Sequence, residues 1–224
     1  MVVKMPTSHT EVEARLLDTA LPPGGGAVVL DAGCGRTTRL AAWRGRIATL
    51  IGVDVDEQAG AANAALDRFI AADLCDPLPL EDDSLDLVYS NFAVEHLQRP
   101  FAAFAEWRRV LKPGAALVVL TSNVASPFVG AARRLPRGVV VAAKRLGAGA
   151  AEQDVIATVY RANTPRRLDD LLVCAGFRRE ELVLVGTLHR YATRLPGLPH
   201  LVTVAESALS ESRRATMVGL YRRR

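Results

Sequence analysis

The sequence predicts an α/β fold, a doubly wound and mostly parallel sheet, in a single domain over residues 1–224. Three observations predict it. Short apolar runs end repeatedly on an aspartate or a turn, segments of helical composition separate those runs, and the chain is 50% hydrophobic but only 5% aromatic. A core of Ala, Val and Leu suits strands buried on both faces beneath covering helices.

The elements follow in order. An amphipathic helix is predicted over Glu11 to Ala20, before the breaker Pro22-Pro23-Gly24-Gly25-Gly26. The run Ala27-Val28-Val29-Leu30 then makes a first buried strand that stops at Asp31 and a glycine turn. Ala48 to Val53 forms a second strand ending at Asp54, and the Ala-rich stretch Glu57 to Leu66 reads as helix. Phe69 to Ala72 leads to Asp73, a loop follows, and Leu85 to Tyr89 is the fourth strand. Pro100 to Leu111 is a helix closed by Lys112-Pro113-Gly114, and Ala116 to Leu120 is the fifth strand.

Beyond Asn123 a basic stretch, Pro127 to Ala151, predicts one or two amphipathic helices over the site. Regularity returns where Thr164 caps a helix, Pro165 takes its first position, Leu168, Leu171 and Leu172 form its stripe, and Gly176 ends it. Glu181 to Gly186 and Ala215 to Tyr221 are the last strands, with a helix at Pro199 to Leu209 between them. The core is therefore 27–123 and 164–224, with insertions at 124–163 and 188–213 that are expected to cover the acceptor.

Composition narrows the classes. The net charge of +4 hides an asymmetry: residues 1–112 carry 11 Lys/Arg against 16 Asp/Glu, and residues 113–224 carry 17 against 8. Scattered solvated arginines explain the second half; a face that meets phosphate, anionic lipid or nucleic acid is the alternative. Arg133, Arg134, Arg137, Lys144 and Arg145 make peripheral membrane contact a hypothesis for that insertion. Cys34, Cys75 and Cys174 fit neither a disulfide framework nor zinc spacing, so no metal is expected and the thiols read as reduced. No run approaches the roughly 20 apolar residues of a spanning helix, and nothing resembles a signal peptide. A soluble, cytoplasmic protein is expected.

The chemistry concentrates in Val28-Val29-Leu30-Asp31-Ala32-Gly33-Cys34-Gly35, where small residues let a ligand approach the backbone. A dinucleotide turn, Gly-x-Gly-x-x-Gly, fails at Thr38, whereas acidic-x-Gly-x-Gly is met by Asp31, Gly33 and Gly35. Asp54 and Asp73 then close two further strands. Singly, each could end a strand, cap a helix or begin an Asx-turn.

Together these segments resemble the motifs of the class I S-adenosylmethionine-dependent methyltransferases over residues 28–123, in the branch typified by quinone and small-molecule enzymes. Asp82 to Asn91, Val94-Glu95-His96-Leu97 and Arg109 to Ala115 resemble that branch's later motifs. The resemblance implies a Rossmann-like sheet of seven strands with an antiparallel last strand, S-adenosylmethionine as cofactor and S-adenosylhomocysteine as product. It implies that Asp54 holds the ribose hydroxyls beside Val55, that Asp73 meets the adenine amino group with the main chain of Leu74 at the ring edge, and that Asp31 lies near the sulfonium. Gly33, Cys34, Gly35, Ser90 and Asn91 complete the cofactor-binding set. Thr37 departs from the pattern, standing where many members have a third glycine, and puts affinity at issue.

His96 is the candidate for catalysis, since imidazole accepts a proton near neutral pH; the alternative is a scaffold histidine bonded to Glu95 or the backbone. Tyr160 and Arg161 are candidates for the acceptor pocket or ordinary surface. The acceptor expected is a small molecule, a lipid-linked intermediate or a glycan. Two rivals stand beside this reading: a non-catalytic S-adenosylmethionine-binding partner protein, and a nucleic-acid methyltransferase. The second lacks both an Asn-Pro-Pro-Tyr-like segment after the fourth strand, where Ser90-Asn91-Phe92-Ala93 stands, and an aromatic-rich basic stripe.

Overall fold

The computed structural model describes residues 8–135, 138, 158–186, 204–205 and 208–224. Seven strands, β1 (Ala27–Ala32), β2 (Ile47–Asp54), β3 (Arg68–Ala71), β4 (Leu85–Asn91), β5 (Leu111–Ser122), β6 (Phe177–Val185) and β7 (Thr216–Arg223), form one sheet in the order β3-β2-β1-β4-β5-β7-β6. Strands β1 to β5 pair in parallel, and β7 runs antiparallel to both β5 and β6. The predicted mostly parallel, seven-stranded sheet is therefore the one that forms. Its strand order reverses between β1 and β4, the topological switch where open α/β sheets bind ligands.

Helices cover both faces. On one side lies α1 (His9–Ala20), whose start is set by a capping box: Glu11 N donates to Ser8 Oγ at 3.2 Å and Ser8 N to Glu11 Oε2 at 3.0 Å. Its stripe of Val12, Leu16 and Leu17 packs with Val29, Leu50, Leu87 and Leu120. The other face receives α3 (Pro100–Val110) and α5 (Pro165–Cys174), which bring Phe104, Trp107, Leu168 and Leu172 onto Leu30, Val88, Leu117 and Tyr221. Each such side chain contributes about 1.5–3 kcal/mol on burial, so the apolar periodicity alone secures the layering. At α5 Thr164 Oγ1 accepts from Arg167 N at 3.2 Å, and Gly176 leaves the helix at φ +95°.

Several boundaries differ from expectation. The helix expected over Glu57 to Leu66 is only α2 (Glu57–Ala61), because Asn63 leaves helical register to donate through Nδ2 to the carbonyls of Cys34 and Gly35 at 3.3 and 3.2 Å. Alanine-rich composition lost to a side chain that pins the glycine turn. Strand β5 begins at Leu111 rather than Ala116, and the Lys112-Pro113-Gly114 turn forms an irregularity within it: Leu85 pairs with Leu111, then Leu87 with Ala116. Strand β6 likewise starts at Phe177, not Glu181, because burial at Phe177 anchors its first residue. A 3-10 turn, Arg39–Trp43, covers the exit from the glycine turn and went unpredicted.

Of the helices expected in the basic stretch, α4 (Pro127–Ala132) forms; the remainder, with Arg137, Lys144 and Arg145, lies outside the described residues, as does most of the helix expected at Pro199 to Leu209. Among the described residues no helix is long and apolar enough to cross a membrane.

Candidate functional site

Parallel register delivers the acidic residues to one end of the sheet. Asp31 lies opposite Gly52 of β2 and Tyr89 of β4, and Asp54 lies opposite Ala71 of β3, two residues before Asp73. Ser90 and Asn91 end β4 beside them. The structure thus brings together every acidic residue that the sequence nominated.

The glycine turn is tied down from below. Gly33 and Cys34 donate their N–H groups to Val53 O at 2.8 and 3.2 Å, and Gly35 donates to Asp54 Oδ2 at 2.9 Å. Gly33 sits at φ +85°, and a Cβ there would lie 2.4 Å from the Ala93 Cβ, so the turn and the segment after β4 approach as closely as only glycine permits. Thr37 is exposed at the rim.

Asp54 does not cap the following helix: Asp56 does, accepting from Ala59 N at 2.8 Å. Asp54 accepts Gly35 N on one oxygen and Asp56 N, at 2.9 Å, on the other. Each carboxylate oxygen has a second lone pair, so two hydroxyls can still be accepted side by side. Asp73 does form an Asx-turn, through Cys75 N at 2.8 Å on Oδ1. Val55 beyond Asp54 is 72% exposed, whereas the Leu74 side chain joins the core.

Asp31 is the most unusual group. It is 2% exposed, and burial, with Asp54 and Glu13 adding repulsion, pushes its carboxyl up to about 7 against the opposing hydrogen bond from Thr38. The Cys34 thiol is buried against Gly52; burial first, then Asp31 and Asp54, pushes it up to about 12, so it is an inert packing group.

After β4 the backbone turns through Phe92 at φ +55° into a 3-10 turn, Val94–His96. Glu95 is 5% exposed and accepts from Thr121 Oγ1 at 2.6 Å and Ser122 Oγ at 3.0 Å. Its carbonyl accepts the N–H groups of Val159 and Tyr160 at 2.8 and 3.1 Å, where Tyr160 has φ +53°. Glu95 therefore ties the chain that returns from the insertion to the segment beyond β4. His96 is half-buried beside it, its N–H donated to Ala93 O at 3.0 Å. Ser90 is fully buried with its Oγ lacking a hydrogen bond, and Asn91 is half-buried.

Sequence reasoning missed one cluster. Glu13 of α1, 1% exposed, accepts the Tyr89 hydroxyl and Arg39 Nε, the latter at 2.8 Å. The signal was available: Glu13 occupies the helix face that also carries Val12, Leu16 and Leu17, where a carboxylate needs a partner. Among the described residues no group of three or more His, Cys, Asp or Glu is placed to hold a metal ion.

Comparison with known proteins agrees with this geometry. Residues 30–119 match the family model described as a methyltransferase domain. The chain is similar to a malonyl-[acyl-carrier protein] O-methyltransferase of Pseudescherichia vulneris, 34% identical over 121 residues that cover 51% of this chain and 47% of the relative. It is also similar to a demethylmenaquinone methyltransferase of Clavibacter sepedonicus, 34% identical over 106 residues, 45% of this chain and 43% of the relative. The chain spans about half the length of the curated relatives it matches. Among solved structures, the geranyl diphosphate C-methyltransferase of Streptomyces coelicolor superimposes with a TM-score of 0.66 at 14% identity, over 96% of this chain and 81% of that one. An S-adenosylmethionine-dependent methyltransferase of Mesorhizobium loti gives 0.60 at 21% identity, over 94% and 97%; both likenesses concern the fold. Residues 30–119 thus match a methyltransferase domain, set in a seven-stranded sheet that shares its fold with solved S-adenosylmethionine-dependent methyltransferases.

Proposed function

We propose that the protein transfers the methyl group of S-adenosylmethionine to a small-molecule, lipid-linked or glycan acceptor in the cytoplasm and releases S-adenosylhomocysteine. The observation that carries this is the arrangement of Asp31, Asp54 and Asp73 around the Gly33–Gly35 turn at the carboxyl ends of adjacent parallel strands.

The residues fit the donor. Asp54 has two outward lone pairs for paired ribose hydroxyls, and exposed Val55 offers an apolar surface to the base. Asp73 and the Leu74 main chain meet the adenine edge. Gly33, Cys34 and Gly35 would admit the amino-acid end close to the backbone, and Ser90 and Asn91 at the end of β4 would complete its site. Asp31, buried next to two other acids, favours a ligand that brings positive charge.

S-adenosylmethionine, when bound, supplies a methyl group already activated on a sulfonium. The chain's own task is to align acceptor and methyl and to exclude water. A base is needed only where the acceptor nucleophile carries a proton, and we assign that role to His96, half-buried just beyond β4. The relatives named for malonyl-[acyl-carrier protein] and for demethylmenaquinone support acceptors of the small-molecule kind.

Calorimetric titration with S-adenosylhomocysteine and with NAD tests the donor reading. Micromolar binding of the first, weakened at least tenfold in Asp54→Ala, is expected. Binding of NAD in its place, or no binding of S-adenosylhomocysteine, refutes it.

A further inference from the structure

The glycine turn does not end the polar surface on this side of the sheet. The 3-10 turn Arg39–Trp43 follows it directly, with Thr38 Oγ1 accepting Leu40 N at 3.1 Å. Thr38 also bonds Asp31, so Arg39 leaves the turn next to the buried carboxylate. Its Nε lies 2.8 Å from both oxygens of Glu13, donating to Oε1 and leaving Oε2 without a hydrogen bond. The Tyr89 hydroxyl donates to the same Oε1. Tyr89 belongs to β4 opposite Asp31, so α1, β1, β4 and the 3-10 turn all converge here.

Two features of this cluster concern a ligand. First, its charges are out of balance: the carboxylates of Asp54 and Glu13 both act on Asp31, and among the described residues the one guanidinium bonded to any of the three is that of Arg39. A buried group of carboxylates favours a ligand carrying positive charge. Second, Arg39 is held by its inner nitrogen only. Glu13 is 1% exposed in its side chain while that of Arg39 is 41% exposed, and among the described residues Arg39 bonds through its Nε alone. An arginine clamped through Nε keeps its two Nη groups as a fork of fixed direction, the geometry that grips a carboxylate with two parallel bonds.

Resting on the donor reading above, we propose that Arg39, oriented by Glu13 and Tyr89, binds the α-carboxylate of the donor's amino-acid end, while Asp31 faces its cationic groups. The amino-acid end carries one carboxylate and one ammonium, which matches a fork and a buried acid side by side. Helix α1 thereby becomes part of the donor site through one buried side chain. Glu13 and Tyr89 are positioning residues, since they act through Arg39.

The test separates the amino-acid end from the nucleoside. Full-length protein is titrated with S-adenosylhomocysteine and with 5′-methylthioadenosine, which has the same nucleoside and sulfur but no amino-acid end. Arg39→Ala is expected to lose tenfold or more in affinity for the first and to stay within about twofold for the second; Arg39→Lys, which keeps the charge but not the fork, falls between. Glu13→Gln is expected to weaken S-adenosylhomocysteine selectively and by less. Unchanged methylthioadenosine binding also certifies that each variant is folded. Equal losses for both ligands, or no loss in Arg39→Ala, overturn the proposal alone. Wild-type protein that binds neither ligand overturns the donor reading and the proposal together.

Discussion

Replacing Asp31 by asparagine removes a charge and keeps the shape, which makes the energetic cost of that carboxylate measurable. The group is 2% exposed, and its carboxyl is pushed up to about 7 in the folded protein, from about 3.9 for an ordinary aspartate. Burial is the first cause, with Asp54 and Glu13 reinforcing it. Because the folded pKa is raised, the folded state binds this proton more tightly than the unfolded chain. The associated stability is complete below the unfolded pKa and is lost as pH rises through about 7. Three units at about 1.4 kcal/mol each set an upper limit of about 4 kcal/mol. Urea unfolding of wild type and Asp31→Asn at pH 5 and pH 8 reads the difference, and subtraction cancels the other carboxylates. Between pH 5 and pH 8 only the last two pH units below about 7 are crossed, so the variant should gain on wild type by up to about 3 kcal/mol. A stability difference that does not move with pH refutes the buried, reluctant carboxylate. The same titration has a functional face: a ligand that sets its ammonium group against Asp31 selects the ionised form, so wild-type affinity for S-adenosylhomocysteine should rise up to about tenfold per pH unit towards neutrality and then level off. Asp31→Asn should be flat across that range.

The remaining expectations are quicker to state. Gly33→Ala forces a left-handed backbone onto alanine and drives its Cβ to 2.4 Å from Ala93, so a loss of about 2 kcal/mol or more is expected in denaturant melts; wild-type stability would mean the turn can open, and with it the argument for close approach fails. His96→Ala should leave S-adenosylhomocysteine affinity unchanged and lower kcat about a hundredfold on any acceptor whose nucleophile carries a proton; a kcat within twofold of wild type returns His96 to the scaffold.

The centre of the sheet was legible because β1, β4 and most of β2 and β5 are buried on both faces and read as continuous apolar runs, each broken where the chain must turn. Asp31, Asp54 and Asp73 were legible for the same reason: strand ends are the places where an acidic residue interrupts such a run. What escaped was set by contacts remote in sequence. Asn63 shortens α2 because it bonds the turn at Cys34 and Gly35, and no local propensity encodes that partner. Glu95 looked like a member of a motif with His96, yet its two oxygens are taken by Thr121 and Ser122 from the next strand. Its carbonyl fastens Tyr160, more than sixty positions away, in a left-handed conformation that a tyrosine adopts only when held there.

The same contrast explains why the donor is easier to read than the acceptor. On the proposed reading the donor meets backbone turns and carboxylates at strand ends, whose positions follow from register alone. On the other side, the segment after β4 is braced by Glu95, Thr121, Ser122 and Asn163, with Asn163 Nδ2 donating to Thr121 Oγ1 at 2.7 Å. These side chains meet only after β5 and the chain returning at Asn163 have docked, so their arrangement belongs to the tertiary fold and not to any stretch of sequence. On the proposed reading, substitutions in the insertion would change acceptor specificity while the donor site stays constant, because Glu95 holds the returning chain through its carbonyl, which bonds the N–H groups of Val159 and Tyr160 whatever side chains they carry.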